Sequence, residues 1–186
     1  MSTQNTFPTE FNLDDLEINR QYAYQILKDS RKQPVDQLDH GKYTLYELPR
    51  AFVVIDHQVQ DAPRVVYLMK YDIVFHKYVG RKCAQQLVVW RDATCVAVEG
   101  VARKIFVDHL MQNYGAVITD SRQTPDGQRF WNKRIAESMS AGYHVYYVNL
   151  MPDRVVIELK TIAEFRAFQQ RGGIFGAMIQ NLKPDV

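Results

Sequence analysis

The sequence is poor in the features that would assign it to several protein classes outright. Its 186 residues include only two cysteines, Cys83 and Cys95. They form no Cys-x-x-Cys pair and have no histidine at ligand spacing, so reduced thiols are expected rather than a disulfide framework. The histidines are scattered, with no pair at the i, i+4 spacing of a metal site, and no metal is expected. No apolar run approaches the roughly 18 residues of a membrane span. The opening Met-Ser-Thr-Gln-Asn-Thr lacks the charged-then-apolar order of a signal peptide, so a cytoplasmic protein without a membrane partner is expected. An excess of charge of one sign is also missing, with 23 basic against 21 acidic residues. That balance argues against nucleic acid as a partner. Adjacent pairs such as Arg31-Lys32 and Arg81-Lys82 read as solvated surface. Repeats, low-complexity segments and linkers are absent too, which predicts one domain over residues 1–186.

What is present is ordinary for a folded chain, 46 % apolar and 24 % charged residues. The 11 Tyr and 9 Phe suit a large sheet. Residues 1–11 are polar and expected to be disordered. A helix is predicted over Leu13–Lys28, with Leu16, Ala23 and Leu27 at helical spacing, Ile18, Tyr22 and Ile26 beside them, and Asn12 as N-cap. Residues 29–41 read as a loop. Tyr43–Leu48 and Phe52–His57 are short strand candidates separated by Pro49-Arg50. Arg64–Tyr78 is the longest one. Its row Val65, Tyr67, Met69, Tyr71, Ile73 and Phe75 is apolar throughout, while the opposite row turns polar at Lys70, Asp72 and His76.

A strand over Ala84–Trp90 then feeds a helix over Glu99–Gln112 through a loop of small residues. Backbone N–H groups at such a helix start are unpaired and can receive a phosphate. Gly115 closes the helix as a left-handed C′ residue. Ala116–Thr119 reads as a strand buried on both faces. Thr124-Pro125 opens the next helix, whose buried face is Phe130, Trp131, Ile135 and Met139. His144–Leu150 and Arg154–Leu159 form a predicted hairpin. A C-terminal helix and tail are expected over residues 161–186, anchored by Ile174-Phe175.

This order resembles the GNAT acyltransferase fold of the N-acetyltransferase superfamily over roughly residues 42–160. The resemblance implies an α+β protein, a central, mostly antiparallel mixed sheet flanked by helices. In that family an Arg or Gln, two residues, Gly, one residue, then Gly or Ala bind the pyrophosphate of acetyl-CoA through backbone amides. Here the span is Ala97-Val98-Glu99-Gly100-Val101-Ala102, in which Gly100 and Ala102 fit and Ala97 replaces the leading residue. Arg103-Lys104 follow, either as charge for a 3′-phosphate or as a solvated face. The family's fourth and fifth strands splay to admit pantetheine, and a backbone N–H near Val88, Val89 and Trp90 would polarise the thioester carbonyl. Trp131 stands near the position of the family's usual acid, a Tyr, and an indole N–H cannot replace it. The Asp-Ser, Thr-Pro, Gly and aromatic-Trp arrangement from Asp120 to Trp131 is similar to divergent members found among bacteriophage and prophage proteins.

The implied reaction is acetyl transfer from acetyl-CoA, a co-substrate, to an amine, with a host protein as one possible acceptor. The implied cofactor-binding set is Val88, Val89, Trp90, Val98, Glu99, Gly100, Val101, Ala102, Arg103 and Trp131. Candidates for proton transfer are Asp72 and His76 on the polar half-face of the long strand, and Asp120 and Ser121 at the end of a buried strand. Each has a plainer reading, exposure for Asp72 and His76 and loop capping for Asp120. Ser121 has no His–Asp partner. The rival is a GNAT-like phage protein without catalysis that acts by binding a host protein, which the residues at 97 and 131 favour.

Overall fold

The computed structural model describes residues 12–29, 32–58, 62–76, 80–119, 125–148, 156–170 and 176–180. The expected disorder of 1–11, the sites Asp120 and Ser121, the cap Thr124 and the anchor Ile174-Phe175 lie outside the described residues. The structure is mixed α+β, and its residues divide into two compact units, 1–69 with 89–99 and 70–88 with 100–186. Among the described residues no helix is long and apolar enough to cross a membrane.

The first unit opens with helix α1, Leu16–Lys28. Its N-cap is Asp15 rather than Asn12, because the Asn12 carbonyl already accepts the Asp15 N–H in a turn (3.1 Å). The Asp15 carboxylate accepts the N–H groups of Glu17 (2.9 Å) and Ile18 (3.2 Å), a cap worth about 1 kcal/mol. The buried face is Asn19, Tyr22, Ala23 and Ile26, while Leu16, Ile18 and Leu27 of the expected stripe are exposed. Asn19 sets this rotation. Its Oδ1 accepts the Val65 N–H (2.6 Å), and its Nδ2 donates to the carbonyls of Leu13 and Val65 (3.0 Å each).

Strands β1 (Pro34–Leu38), β2 (Tyr43–Leu48) and β3 (Ala51–Asp56) follow. They precede the opening part of β4 (Arg64–His76), and the end of β5 (Arg81–Arg91) completes the unit. β1 lies where a loop was expected. It pairs antiparallel with β2 around a bulge between Pro34 and Asp36. β2 and β3 form a hairpin with Leu48 opposite Ala51, so Pro49-Arg50 is a two-residue turn and Arg50 takes a left-handed φ of 64°. Every residue of β3 is buried. Tyr22, Ile26, Val53, Ile55, Val65 and Leu68 form the core, with Trp90 packed against it. Each such aliphatic side chain contributes roughly 1.5–3 kcal/mol through burial.

The second unit holds the rest of β4 and β5, then helix α2, strand β6 (Ala116–Ile118), helix α3 (Pro125–Ser140), strands β7 (His144–Val148) and β8 (Val156–Leu159), helix α4 (Ile162–Gln170) and strand β9 (Gly176–Gln180). Helix α2 runs from Val101–Lys104 through a π-helical turn at Ile105–Leu110 to Met111–Tyr114. Gly115, at φ 67°, ends it and donates to the Met111 carbonyl (2.8 Å). β5 and β6 are parallel, with Ala84 opposite Val117 and Gln85 opposite Ile118. β9 pairs antiparallel with both β6 and β7, and β7 with β8, giving the order β4-β5-β6-β9-β7-β8. The hairpin of β7 and β8 was expected, whereas β9 was not. Cys83, Ala116 and Ile118 pack with Val74, Tyr146 and Val156. A second cluster joins α2 to α3. Trp131 meets Phe106 edge-on at 4.7 Å and Phe130 at 5.4 Å.

Candidate functional site

In the second unit, Gly100 is the N-cap of α2 with φ 81°, and no side chain caps the helix there. The Gly100 carbonyl accepts the Lys104 N–H (3.0 Å), so a regular turn forms at once. A Cβ at Gly100 would meet nothing within 4 Å, so glycine is required there by φ, and the space beside it is open. Val101 is buried, Ala102 half-buried and Arg103 exposed. Arg103 forms a long surface ion pair with Glu137 (3.8 Å), which holds it only weakly. Val88 is 52 % and Leu87 46 % exposed, on the part of β5 that continues past its pairing with β6. Trp131, only 2 % exposed, is a core residue in the ring cluster.

Asp72 is exposed on β4, and its Oδ1 accepts the Ile73 N–H (2.8 Å). His76 is the last residue of β4, and its side chain lies outside what the structure describes. His144 pairs through Nδ1 with Glu158 across the β7–β8 hairpin (2.6 Å). The Glu158 carboxyl is held below the usual range by hydrogen bonds from Lys160 and then His144.

The remaining expected contacts belong to the first unit. Val89 is exposed, and Trp90 packs on the core while its Nε1 donates to Asp14 (3.0 Å). Val98 is buried in a short 3-10 turn, Val96–Val98, and the N–H of exposed Glu99 donates to the Val96 carbonyl (2.9 Å).

The first unit also carries a cleft of about 920 Å³ that the sequence reading did not anticipate. Five segments build it, contributing Arg20 from α1, Asp39 and Tyr43 around the start of β2, Asp56 with Gln58, Ala62 with Arg64, and the Thr94–Ala97 loop. Arg64 bonds Asp92 (2.9 Å) and pairs with Asp56 (3.5 Å). Asp92 also accepts the hydroxyl (2.6 Å) and N–H (2.8 Å) of Thr94. These bonds, led by that from the Thr94 hydroxyl, keep its carboxyl below the usual range. The Tyr43 hydroxyl accepts from Gln58, and the Cys95 thiol lines the same cleft. Burial first, then Cys95, pushes the Tyr43 phenol up to about 12. Among these, Cys95 and Ala97 stand out in the sequence. Asp92-Ala-Thr94 is a readable side-chain turn signal, but nothing in the chain order links it to Arg20 or Asp39.

No protein-family model matches the chain, and neither the curated proteins nor the solved structures give a match.

Proposed function

We propose that the protein is an acyl-CoA-dependent acyltransferase of the GNAT type, moving an acetyl group to an amine. One observation carries the reading. β5 and β6 pair in parallel at Ala84–Val117 and Gln85–Ile118, β6 ends there, and β5 runs on to Arg91 with Leu87 and Val88 exposed. A parallel pair in which one strand stops and its neighbour runs on with exposed apolar side chains is consistent with the place where the pantetheine arm of acetyl-CoA lies in that family. Within the same unit, α2 begins at Gly100 without a side-chain cap, so its first N–H groups are available to a pyrophosphate.

The chemistry follows from holding both reactants together. The acceptor nitrogen attacks the thioester carbonyl, the C–N bond forms, the C–S bond breaks, and the thiolate leaves and takes up a proton. The nitrogen's proton passes to a base, for which Asp72 is the described carboxylate on the adjoining strand β4. A cytoplasmic host protein is one acceptor class that fits the resemblance to phage members.

A second reading rests on Trp131 and Ala97. Where the family's acid is expected, this chain has an indole buried between Phe106 and Phe130. That favours a GNAT-like module without catalysis that binds a host protein.

Calorimetry with acetyl-CoA separates the two. Gly100→Asp places a carboxylate in the open space beside the helix start, and φ 81° adds a strain of about 1–2 kcal/mol. We expect heat of binding from the wild type and its loss in folded Gly100→Asp. No heat at near-millimolar acetyl-CoA removes the enzyme reading, and a stoichiometric protein partner carrying no acetylated lysine then supports the second.

A further inference from the structure

We propose that the cleft of the first unit is a binding site for an amphipathic carboxylate, a small molecule with one carboxylate head and a short apolar chain. The proposal is independent of the acyltransferase reading.

The carboxylates of the cleft lining already have cationic partners. Asp39, on the cleft wall, pairs with Lys42 (3.1 Å), and Asp56 with Arg64 (3.5 Å), which also holds Asp92 (2.9 Å). Arg20 is different. It lines the same cleft, and its Nε is buried with no hydrogen-bond partner. A buried donor left unpaired costs roughly 1–3 kcal/mol, and a carboxylate is the acceptor whose two oxygens match a guanidinium fork.

The apolar part has its own place. Leu16 and Val96 line the cleft while remaining 47 % and 74 % exposed, and Ala62 and Ala97 stand beside them. Large exposed aliphatics beside a guanidinium with a donor left unpaired suit a ligand with an apolar chain on a charged head. The two carboxylates in the lining, Asp39 and Asp56, select against a dianion such as phosphate and in favour of a single negative charge.

The probe is octanoate, titrated into the full chain by calorimetry, with neutral octanamide and inorganic phosphate as parallel arms. We expect saturable binding of octanoate, and at least about tenfold weaker binding of octanamide and of phosphate. Arg20→Gln should weaken octanoate at least about tenfold, whereas Val96→Asn, which removes apolar contact without adding charge, should weaken octanoate and octanamide by similar factors. Absence of saturable octanoate binding up to about 10 mM overturns the proposal, as does octanamide binding as tightly as octanoate. Phosphate binding as tightly as octanoate overturns the amphipathic class. The comparison of the three ligands on the wild type decides the matter even where Arg20→Gln fails to fold.

Discussion

The two units fasten helix to neighbour in opposite ways. In the first, α1 is pinned by a buried amide, Asn19, whose three hydrogen bonds reach Leu13 and Val65. In the second, α3 is held to α2 by rings, Trp131 against Phe106 and Phe130, and β7 meets α4 through the stacked pair Tyr147–Phe168 at 4.8 Å. The difference teaches what each device is for. A buried amide contributes little net energy but accepts only one rotation and register, because any other leaves its partners unpaired. Ring packing contributes more energy and tolerates small shifts. The first unit therefore adds a polar lock to its apolar core, whereas the second joins its helices through ring area.

The molecule offers a direct way to test this, since its two tryptophans fall one to each unit, Trp90 in the first and Trp131 in the second. The largest effect expected is from Trp131→Ala, a loss of about 3–5 kcal/mol. Urea denaturation followed by far-UV circular dichroism measures it, with Trp90 fluorescence reporting the first unit separately. A loss below about 1 kcal/mol would mean that the ring cluster does not hold the second unit. Next is Asn19→Leu, which strands the Val65 N–H and two carbonyls and should cost about 1–3 kcal/mol. Trp90 emission should also shift in this variant as α1 changes its rotation. A neutral result with unchanged emission would break the comparison, since an apolar side chain would then specify the same packing.

The smallest effect concerns pH and sharpens the first unit's side. The Asp92 carboxyl is held below the usual range by Thr94 and Arg64, so its folded value lies under its unfolded one. Its contribution is therefore present above about pH 4 and lost as pH falls through the folded value. Asp92→Asn should cost roughly 1 kcal/mol at pH 7 and make the urea midpoint less sensitive to acid than in the wild type. Parallel acid dependence in both proteins would assign the pH response to other carboxylates.

Sequence periodicity revealed the strong elements because burial is written in alternation. The row from Val65 to Tyr71 and the short apolar Ala116–Ile118 read correctly for that reason. β1 was hidden because Pro-Val-Asp-Gln-Leu is an edge strand with largely exposed side chains, so no buried row marks it. β9 was hidden because Gly-Ala-Met-Ile-Gln is short and becomes a strand only through partners on both sides. The apolar side of α1 was legible in part: Tyr22, Ala23 and Ile26 are buried, while Leu16, Ile18 and Leu27 are exposed because Asn19 turns inward, and composition gives no weight to a bond made 46 positions away. The helix start at Gly100 was legible because a left-handed glycine leaves a local signature. The cleft was not, since five separated segments meet there and only the fold brings Arg20 beside Asp39 and Val96.

The place of β9 governs how the second unit can be made. β6 and β7 do not touch through their own ladders; the strand between them is the last described in the chain, with Ala116 and His144 both opposite Gln180. During synthesis β6 has only its two-residue ladder to β5, and its other edge stays open until Gly176–Gln180 has emerged. The β2–β3 hairpin of the first unit closes as soon as its own turn is made. The nascent chain thus carries a finished hairpin and a waiting strand edge at the same time. That edge is the interval in which chaperone capture or pairing with another chain competes with folding.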